Sequence, residues 1–264
     1  MKNVSLAVPT YFSSKYLNVL LKSIKNSKYI DEVIISDDSA DKNEIKKIEK
    51  IVTNFQKSNK NINIKIYQNK ENFNAFNNKY LAVSKCTNEI VYQIDSDNIA
   101  SKDIDTTLRD ILNSFDEENI YLPAYLRQFF YNYQYYLNQN KNIVNLSSED
   151  KVLDSVIISD SVIFDKKITI DKNIYWILNC GNFIVSKKKY LGVMEEFYNN
   201  QDIPLAADAL AISYLWLKSN LKIVLKKDFF HYHRKRKDSV SLSLTNEMEE
   251  SFKYFKEKFK TLSH

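Results

Sequence analysis

Apolar residues come in short blocks with two spacings. Val4-Ser5-Leu6-Ala7-Val8 is a compact run closed by Pro9-Thr10, and Glu32-Val33-Ile34-Ile35-Ser36 is a second, closed by Asp37-Asp38-Ser39. Ile62-Asn63-Ile64-Lys65-Ile66 alternates apolar with polar, and Ile90–Ile94 is another short run, ending in Asp95-Ser96-Asp97-Asn98. Runs of this length, bounded by turn-forming residues, predict strands. Between them the apolar positions fall three and four apart: Leu17, Leu20, Leu21 and Ile24, then Ile45, Ile48, Ile51, Val52 and Phe55. That spacing puts each set on one face of a helix. Ser13 or Ser14 is placed to cap the first of these helices, and Ala75–Lys85 predicts a third. Strands alternating with helices imply βαβ units, hence an α/β chain with a mainly parallel central sheet flanked by helices.

Beyond Asp97 the pattern loosens. Thr106–Phe115 predicts a helix. Tyr121 to Tyr136 is crowded with aromatic residues, which suits core or helix contacts, with stacking on a sugar or lipid-linked acceptor as the alternative. Val152–Ile158 and Ser161–Ile170 predict antiparallel strands, and Ile174–Leu178 and Phe183–Val185 flank Asn179-Cys180-Gly181-Asn182. Leu205–Leu217 predicts an apolar helix, Leu221–Leu225 a last strand, and Glu247–Lys258 a terminal helix. No linker interrupts the chain, so the shift near residue 100 separates two halves of one compact unit: residues 1–98, then 99–240, then a C-terminal helix within 241–264.

Composition narrows the chemistry. The chain has 264 residues, 44% of them hydrophobic, enough for a sizeable core. Its two cysteines, Cys86 and Cys180, have no metal-binding or redox spacing and point to a reducing compartment. The first apolar run is too short for a signal peptide, and no run of apolar residues reaches membrane-spanning length. A cytoplasmic protein is the expectation. Only two glycines occur, Gly181 and Gly192, which excludes the glycine-rich phosphate loops. Much of the net charge of +5 lies in Arg234-Lys235-Arg236-Lys237, with more in Lys187-Lys188-Lys189. Such runs read as solvated faces, or as peripheral contact with the anionic inner face of a cell membrane. No nucleic-acid partner is expected.

In open parallel sheets, ligands bind beyond the carboxyl ends of the strands. Pro9-Thr10-Tyr11, Asp37-Asp38 and Asp95-Ser96-Asp97 all fall there. In an extended segment Asp95 and Asp97 point the same way, as do His231 and His233. Two converging carboxylates call for a cation between them, and a hard divalent ion holding a phosphate fits. Taken alone, Asp-Ser-Asp-Asn also reads as a polar turn.

The order and spacing of these segments resemble a family-2-type glycosyltransferase of the GT-A (Rossmann-like) fold. Val4 through Tyr11 is similar to that family's opening strand with its Pro-Thr-Tyr, and Glu32 through Ser39 to its second strand with Asp-Asp. Asn72-Phe73-Asn74-Ala75-Phe76-Asn77-Asn78 resembles the Asn-rich segment before the D-x-D, and Asp95-Ser96-Asp97 resembles the D-x-D itself. Cys180-Gly181-Asn182-Phe183 is similar to the Gly-Gly-Asn-Phe of the acceptor half. Ala207-Asp208 stands where an acidic pair is usual, and His231 through Ser241 resembles the closing His/Arg loop. The chain departs from the pattern at Ala40, where a glycine is missing, in the glycine-poor 72–78 segment, and at Ala207.

The resemblance implies a metal-dependent, inverting transfer of a sugar from a nucleotide-diphosphate sugar, a UDP-sugar favoured, to an acceptor hydroxyl. The acceptor would be a carbohydrate or lipid-linked glycan, in cell-surface polysaccharide, lipooligosaccharide or glycan synthesis. Pro9, Thr10, Tyr11, Asp37, Asp38, Asn78, Lys79, Asp95, Ser96, Arg234 and Arg236 would bind the nucleotide. Asp95, Asp97, His231 and His233 would hold Mn²⁺ or Mg²⁺, Asp97 most directly. Gly181, Asn182 and Asp208 would face the acceptor, with Asp208 the catalytic base and Asp202 its fallback. A helix N-cap is the structural alternative for Asp37 and for Asp208. Three other readings compete. A dehalogenase-type phosphohydrolase also uses D-x-D, but on its first strand. A nucleotidyltransferase would want a Gly- and Arg-rich loop after the first strand. The missing glycines and Ala207 motivate a non-catalytic binder of the same fold.

Overall fold

The computed structural model describes residues 3–123, 127–129, 161–164, 178–198, 200, 202–226, 228–234 and 246–262. The first half follows the predicted alternation. β1 (Val4–Thr10), β2 (Ile30–Asp37), β3 (Asn63–Gln68) and β4 (Ile90–Gln93) are separated by helices α1 (Ser14–Ile24), α2 (Lys42–Gln56) and α3 (Asn74–Lys85). These four strands are parallel, in the order β3-β2-β1-β4. β5 (Ile99–Ala100), α4 (Ile104–Asn113), β6 (Asn119–Pro123) and β7 (Arg127–Phe129) follow, then β8 (Ser161–Phe164) and β9 (Phe183–Ser186). The chain goes on through α5 (Lys187–Met194), α6 (Asp208–Lys218), β10 (Lys222–Lys226), β11 (His231–Arg234) and α7 (Asn246–Leu262).

Among the described residues, both halves contribute to one eight-stranded sheet, ordered β3-β2-β1-β4-β9-β6-β10-β8. β9 lies between β4 and β6, antiparallel to each, so the second half is hydrogen-bonded directly onto the first. β10 runs parallel to β6, and β8 antiparallel to β10. A second sheet of three strands, β5-β11-β7, sits at the end of the D-x-D segment.

Alternation within β1 explains the two apolar layers. Val4, Leu6 and Val8 pack with α1, α2 and α4 through Leu17, Leu21, Ile48, Val52 and Leu108. Ala7 faces the other layer, where α3, α5, α6 and α7 bring Phe76, Val83, Tyr190, Leu210, Trp216 and Phe255. α6 is buried from Ala209 to Leu217 because it lies between the sheet and α7.

Several expectations move in detail. Neither Ser13 nor Ser14 caps α1 with its side chain; instead the Ser14 N–H donates to the Glu44 carboxylate of α2 at 2.8 Å. A carboxylate at that end is favoured by the helix dipole. Asp41, not Asp37, caps α2, accepting from the N–H groups of Asn43 and Glu44. The apolar helix begins at Asp208 instead of Leu205. Val152–Ile158 and most of the 121–136 aromatic stretch lie outside the described residues.

At the amino edge of the sheet, Glu32 fastens three segments. It accepts from Ser5 Oγ at 2.5 Å, from the Thr87 N–H at 2.7 Å and from Lys65 Nζ at 3.5 Å. Burial pushes its carboxyl up, but the Ser5 and Thr87 hydrogen bonds and the Lys65 charge outweigh that, and the net shift is below the ordinary 4.5. A carboxylate with a lowered folded pKa adds stability that is present above its unfolded pKa and lost as pH falls through the folded one. Glu32→Gln is expected to cost roughly 1–3 kcal/mol at pH 7. In urea titrations at a series of pH values, the gap between the two proteins should close as pH drops below 4.5.

Candidate active site

The carboxyl ends of β1, β2 and β4 meet α3 and the start of α6. β1 ends at Thr10, whose carbonyl accepts from the Asp38 N–H at 2.9 Å and from Asn78 Nδ2 at 3.2 Å. Asp38 is buried and accepts from Asn69 Nδ2 at 2.9 Å and from the Phe73 N–H at 3.0 and 3.1 Å. Burial raises its pKa, partly offset by those donors. Asp37 is fully buried and accepts from Ser39 Oγ at 2.7 Å, which shapes the turn into α2; its pKa is also raised, chiefly by burial. Asn78 is buried beneath this network, and Pro9 lies within β1. Thr10 Oγ1 is buried with no hydrogen-bond partner among the described residues. Tyr11 and Phe12, by contrast, stand out at the mouth of the site, 50% and 48% exposed, their rings edge to face at 4.9 Å.

Backbone strain gathers at the same edge. Phe12 (φ 45°), Ala40 (φ 51°) and Asn74 (φ 74°) all adopt left-handed backbone that favours glycine. The missing glycines therefore do not remove the conformation. Ala40 and Asn74 take it with side chains, at a cost of about 1 kcal/mol or more for the alanine.

The D-x-D segment is a turn, not an extended continuation of β4. β4 ends at Gln93, and the Asn98 N–H donates to the Asp95 carbonyl at 3.0 Å. Strand alternation therefore does not aim Asp95 and Asp97 at one point. The turn is fastened from outside. Asn182, itself buried, accepts the Asp95 N–H at 2.8 Å. Arg234 Nε donates to the Asp97 carbonyl at 3.1 Å, and the Arg234 N–H donates to Asn98 Oδ1 at 3.2 Å. The Arg234 guanidinium lies 4.5 Å from the centroid of the Tyr16 ring. Ser96 is buried within the turn.

The Asp95 side chain meets Lys79 of α3, Nζ to Oδ1 at 3.2 Å, and the same ammonium lies 2.5 Å from Asp208 Oδ2. Lys79 is raised in pKa because these two carboxylates outweigh its burial. Asp208 is thus brought within one side chain of Asp95, although 113 positions separate them. It opens α6, where the helix dipole favours a negative charge. Ala207, before it, supplies no side-chain cap. Ser251 of α7 takes over: its Oγ accepts the Ala207 N–H at 2.9 Å and donates to the Pro204 carbonyl at 2.5 Å. Gly181 packs against the Lys79–Asp95 pair so closely that a Cβ there would fall on Lys79 Nζ and lie 3.1 Å from Asp95 Oδ2. Asp202, the fallback base, is exposed, and its N–H donates to Asn200 Oδ1 at 3.0 Å.

The two histidines share one side of β11, rings 5.9 Å apart. Burial and the neighbouring His233 hold His231 well below its ordinary pKa, and its Nδ1 has no hydrogen-bond partner among the described residues. Among the described residues, no three His, Cys, Asp or Glu side chains converge to hold an ion. Asp95, Asp97, His231 and His233 therefore do not form a ready-made cage. Arg236 lies outside the described residues, as do Lys235 and Lys237. Of the Lys187–Lys189 run, Lys187 Nζ donates to the Cys86 carbonyl at 2.5 Å and Lys189 faces Glu117 and Glu118 at 3.9 Å.

Three cooperating strand ends, a D-x-D turn and an acidic helix start are thus on one edge of one sheet. The sequence model of glycosyl transferase family 2 matches residues 5–178. The chain belongs to glycosyl transferase family 2. No curated protein sequence gives a significant match to it. Solved structures do resemble it. The crystal structure of S. aureus TarS 1-349 in complex with UDP-GlcNAc has a TM-score of 0.63 at 18% identity, over 98% of this chain and 66% of that one. The crystal structure of S. aureus TarS 1-349 gives 0.60 at 19% identity, over 98% and 65%. The crystal structure of S. aureus TarS gives 0.59 at 18% identity, over 97% and 39%. At such identity the likeness is one of fold, the GT-A fold, and this family-2 chain spans less than two thirds of those proteins' length.

Two features of the site had no signal in the sequence reading. Ser251 lies 44 residues from Ala207, in the terminal helix, with no pattern that links the two. Tyr16 is recognised as an arginine platform only once β11 is placed. Ser251→Ala should leave the Ala207 N–H and the Pro204 carbonyl unpaired, costing about 1–3 kcal/mol by urea unfolding. Faster hydrogen exchange at the Ala207 amide would accompany it; unchanged exchange would remove Ser251 as the anchor of this helix start.

Proposed function

We propose that this family-2 chain transfers a sugar from a nucleotide-diphosphate sugar, a UDP-sugar, to an acceptor hydroxyl with inversion at the anomeric carbon. The observation that carries the reading is the approach of Asp208 to Asp95 through Lys79. It sets a carboxylate of the acceptor half beside the D-x-D turn of the donor half. The crystal structure of TarS 1-349 in complex with UDP-GlcNAc, which shares the fold, supports a UDP-sugar as the donor class. The missing family glycines do not weaken the reading, since Ala40 and Asn74 adopt the backbone that glycine favours.

Each residue then has a task. Tyr11 offers an exposed ring face to the base, and Thr10 Oγ1 a hydroxyl with bonding capacity to spare. Asp38 and Asn78 hold the ends of β1 and β2 and the 69–73 segment in register around that pocket. Arg234 braces the D-x-D turn from behind. Asp208 accepts the proton of the acceptor hydroxyl as its oxygen attacks the anomeric carbon. The bond to the diphosphate breaks on the opposite face, and its electron pair leaves with the nucleotide.

The donor set at the turn fits a hard divalent ion. Mg²⁺ and Mn²⁺ are commonly held by one or two carboxylates and completed by substrate phosphates and water. Asp97, with the second oxygen of Asp95, would hold Mg²⁺ or Mn²⁺ in that way. His231, whose Nδ1 has no hydrogen-bond partner among the described residues, does not converge with these carboxylates on one point and is left out of the set. When bound, the ion supplies neutralisation of the charge that builds on the departing diphosphate. The acceptor is a carbohydrate or lipid-linked hydroxyl, by analogy with the family.

Two variants test the assignment after a thermal-shift screen of UDP-glucose, UDP-galactose and UDP-GlcNAc with and without Mn²⁺. Asp208→Asn is expected to lower turnover by about 10³-fold while UDP affinity stays within about threefold. Near-normal turnover would rule out Asp208 as the base. Asp97→Ala should weaken UDP binding at least about tenfold in Mn²⁺ by calorimetry and leave metal-free binding unchanged. Equal affinities in Mn²⁺ would end its role at the ion.

A further inference from the structure

Lys79 holds two carboxylates that come from opposite halves of the chain. It lies 3.2 Å from Asp95 and 2.5 Å from Asp208. It is also hidden behind them. The Lys79 side chain is 6% exposed, against 32% for Asp95 and 18% for Asp208. A diphosphate in the cleft meets the carboxylates first and reaches the ammonium only by parting them. That arrangement suits an internal tie better than a phosphate contact.

We propose that Lys79 is a positioning residue of the transfer reaction, tying the acceptor-side Asp208 to the donor-side Asp95 at a fixed separation. The proposal rests on the reading of Asp208 as the base. Two neighbouring carboxylates repel, and a buried ammonium between them converts repulsion into a bridge that solvent screens weakly. Asp208 needs such a tie. It stands in the first turn of α6 after a residue with no capping side chain, and Ser251 secures only the backbone there. Gly181 forms the opposite wall, since a Cβ would land on Lys79 Nζ and press on Asp95 Oδ2. The Tyr190 hydroxyl, buried and without a hydrogen-bond partner among the described residues, is raised in pKa by burial and feels both Lys79 and Asp208. The ammonium is therefore held by α3, the D-x-D turn, the Gly181 segment and α6 together. Donor and acceptor halves move as one unit at the reacting centre.

Two variants disturb the tie in different ways. Lys79→Met removes the charge and keeps most of the stem. Gly181→Ala keeps the charge and displaces the ammonium, so it decides the question if Lys79→Met does not fold. Turnover is read as UDP released from whichever of UDP-glucose, UDP-galactose and UDP-GlcNAc the wild-type protein hydrolyses fastest, and UDP affinity by calorimetry. A displacement of order 1 Å at the base should lower kcat by about 100-fold in Lys79→Met and at least about tenfold in Gly181→Ala. UDP affinity should stay within about threefold in both. Either change placed in Asp208→Asn should add little further loss, because it acts through Asp208. A folded Lys79→Met or Gly181→Ala with wild-type kcat overturns the proposal. So does a tenfold loss of UDP affinity with kcat preserved, which makes Lys79 a nucleotide ligand, or a fully multiplicative loss in the double variants. If Asp208→Asn alone turns over normally, the base assignment falls and this role with it. If Asp208→Asn is inactive while Lys79→Met and Gly181→Ala turn over normally, only the positioning role falls.

Discussion

One buried ammonium sets the terms for this site. Lys79 Nζ has been taken out of water, which is costly unless opposite charge meets it at close range. Asp95 and Asp208 supply that charge, and neither is near Lys79 in sequence. The sheet must therefore bring β4 alongside β1, α3 must cross behind both, and α6 must begin over the same point. A chain that failed to close any one of these would leave an unpaired charge in its interior. The same pairing that makes the site chemically useful thus penalises partial assembly. Insertion of β9 between β4 and β6 has the matching effect on the backbone, since hydrogen bonds along β9 register the second half of the chain against the first.

The first half of the fold was legible because its strands and helices are local. Periods of two and of three to four are written into consecutive residues, and parallel βαβ units follow from their alternation. The carboxyl-edge rule then placed Thr10, Asp37, Asp38 and Asp95 together without any knowledge of their contacts. Position on an edge is not the same as a role, however. Asp37 turns back to Ser39, and Asp38 to Asn69 and Phe73, because buried carboxylates take whatever N–H and O–H donors the adjacent loops offer. Asp95 and Asp97 were expected to converge by strand alternation. One short hydrogen bond from the Asn98 N–H to the Asp95 carbonyl makes the segment a turn, and alternation has no hold on a turn.

What sequence pattern could not supply were the partners set by tertiary packing. The α1 terminus is met by Glu44 of a different helix, so the serines beside it carry no cap. Ser251 reads as an ordinary polar position in a charged helix until α7 is laid on α6. It then occupies a place where the α6 start lacks a capping side chain. Arg234 was legible as a cation and not as a brace, since its partners are a backbone carbonyl and a side-chain amide of the D-x-D turn and a tyrosine ring of α1. Each of these is a donor or acceptor satisfied at long range, which no window of residues encodes.

Glycine use ties these threads together. A chain of 264 residues with two glycines must meet most demands for unusual backbone with other residues. At Ala40 and Asn74 it does so, since a left-handed φ is strained but attainable for a residue with a Cβ, and asparagine accepts it more readily than most. At Gly181 the demand is different in kind. Its φ lies outside the left-handed region, and what it provides is the absence of a side chain where Lys79 and Asp95 meet. Conformational strain can be absorbed over a turn, whereas an atom placed on a buried ammonium can only be relieved by moving the ammonium. A chain this poor in glycine nevertheless has one at the point where the charged bridge leaves no room for a carbon atom.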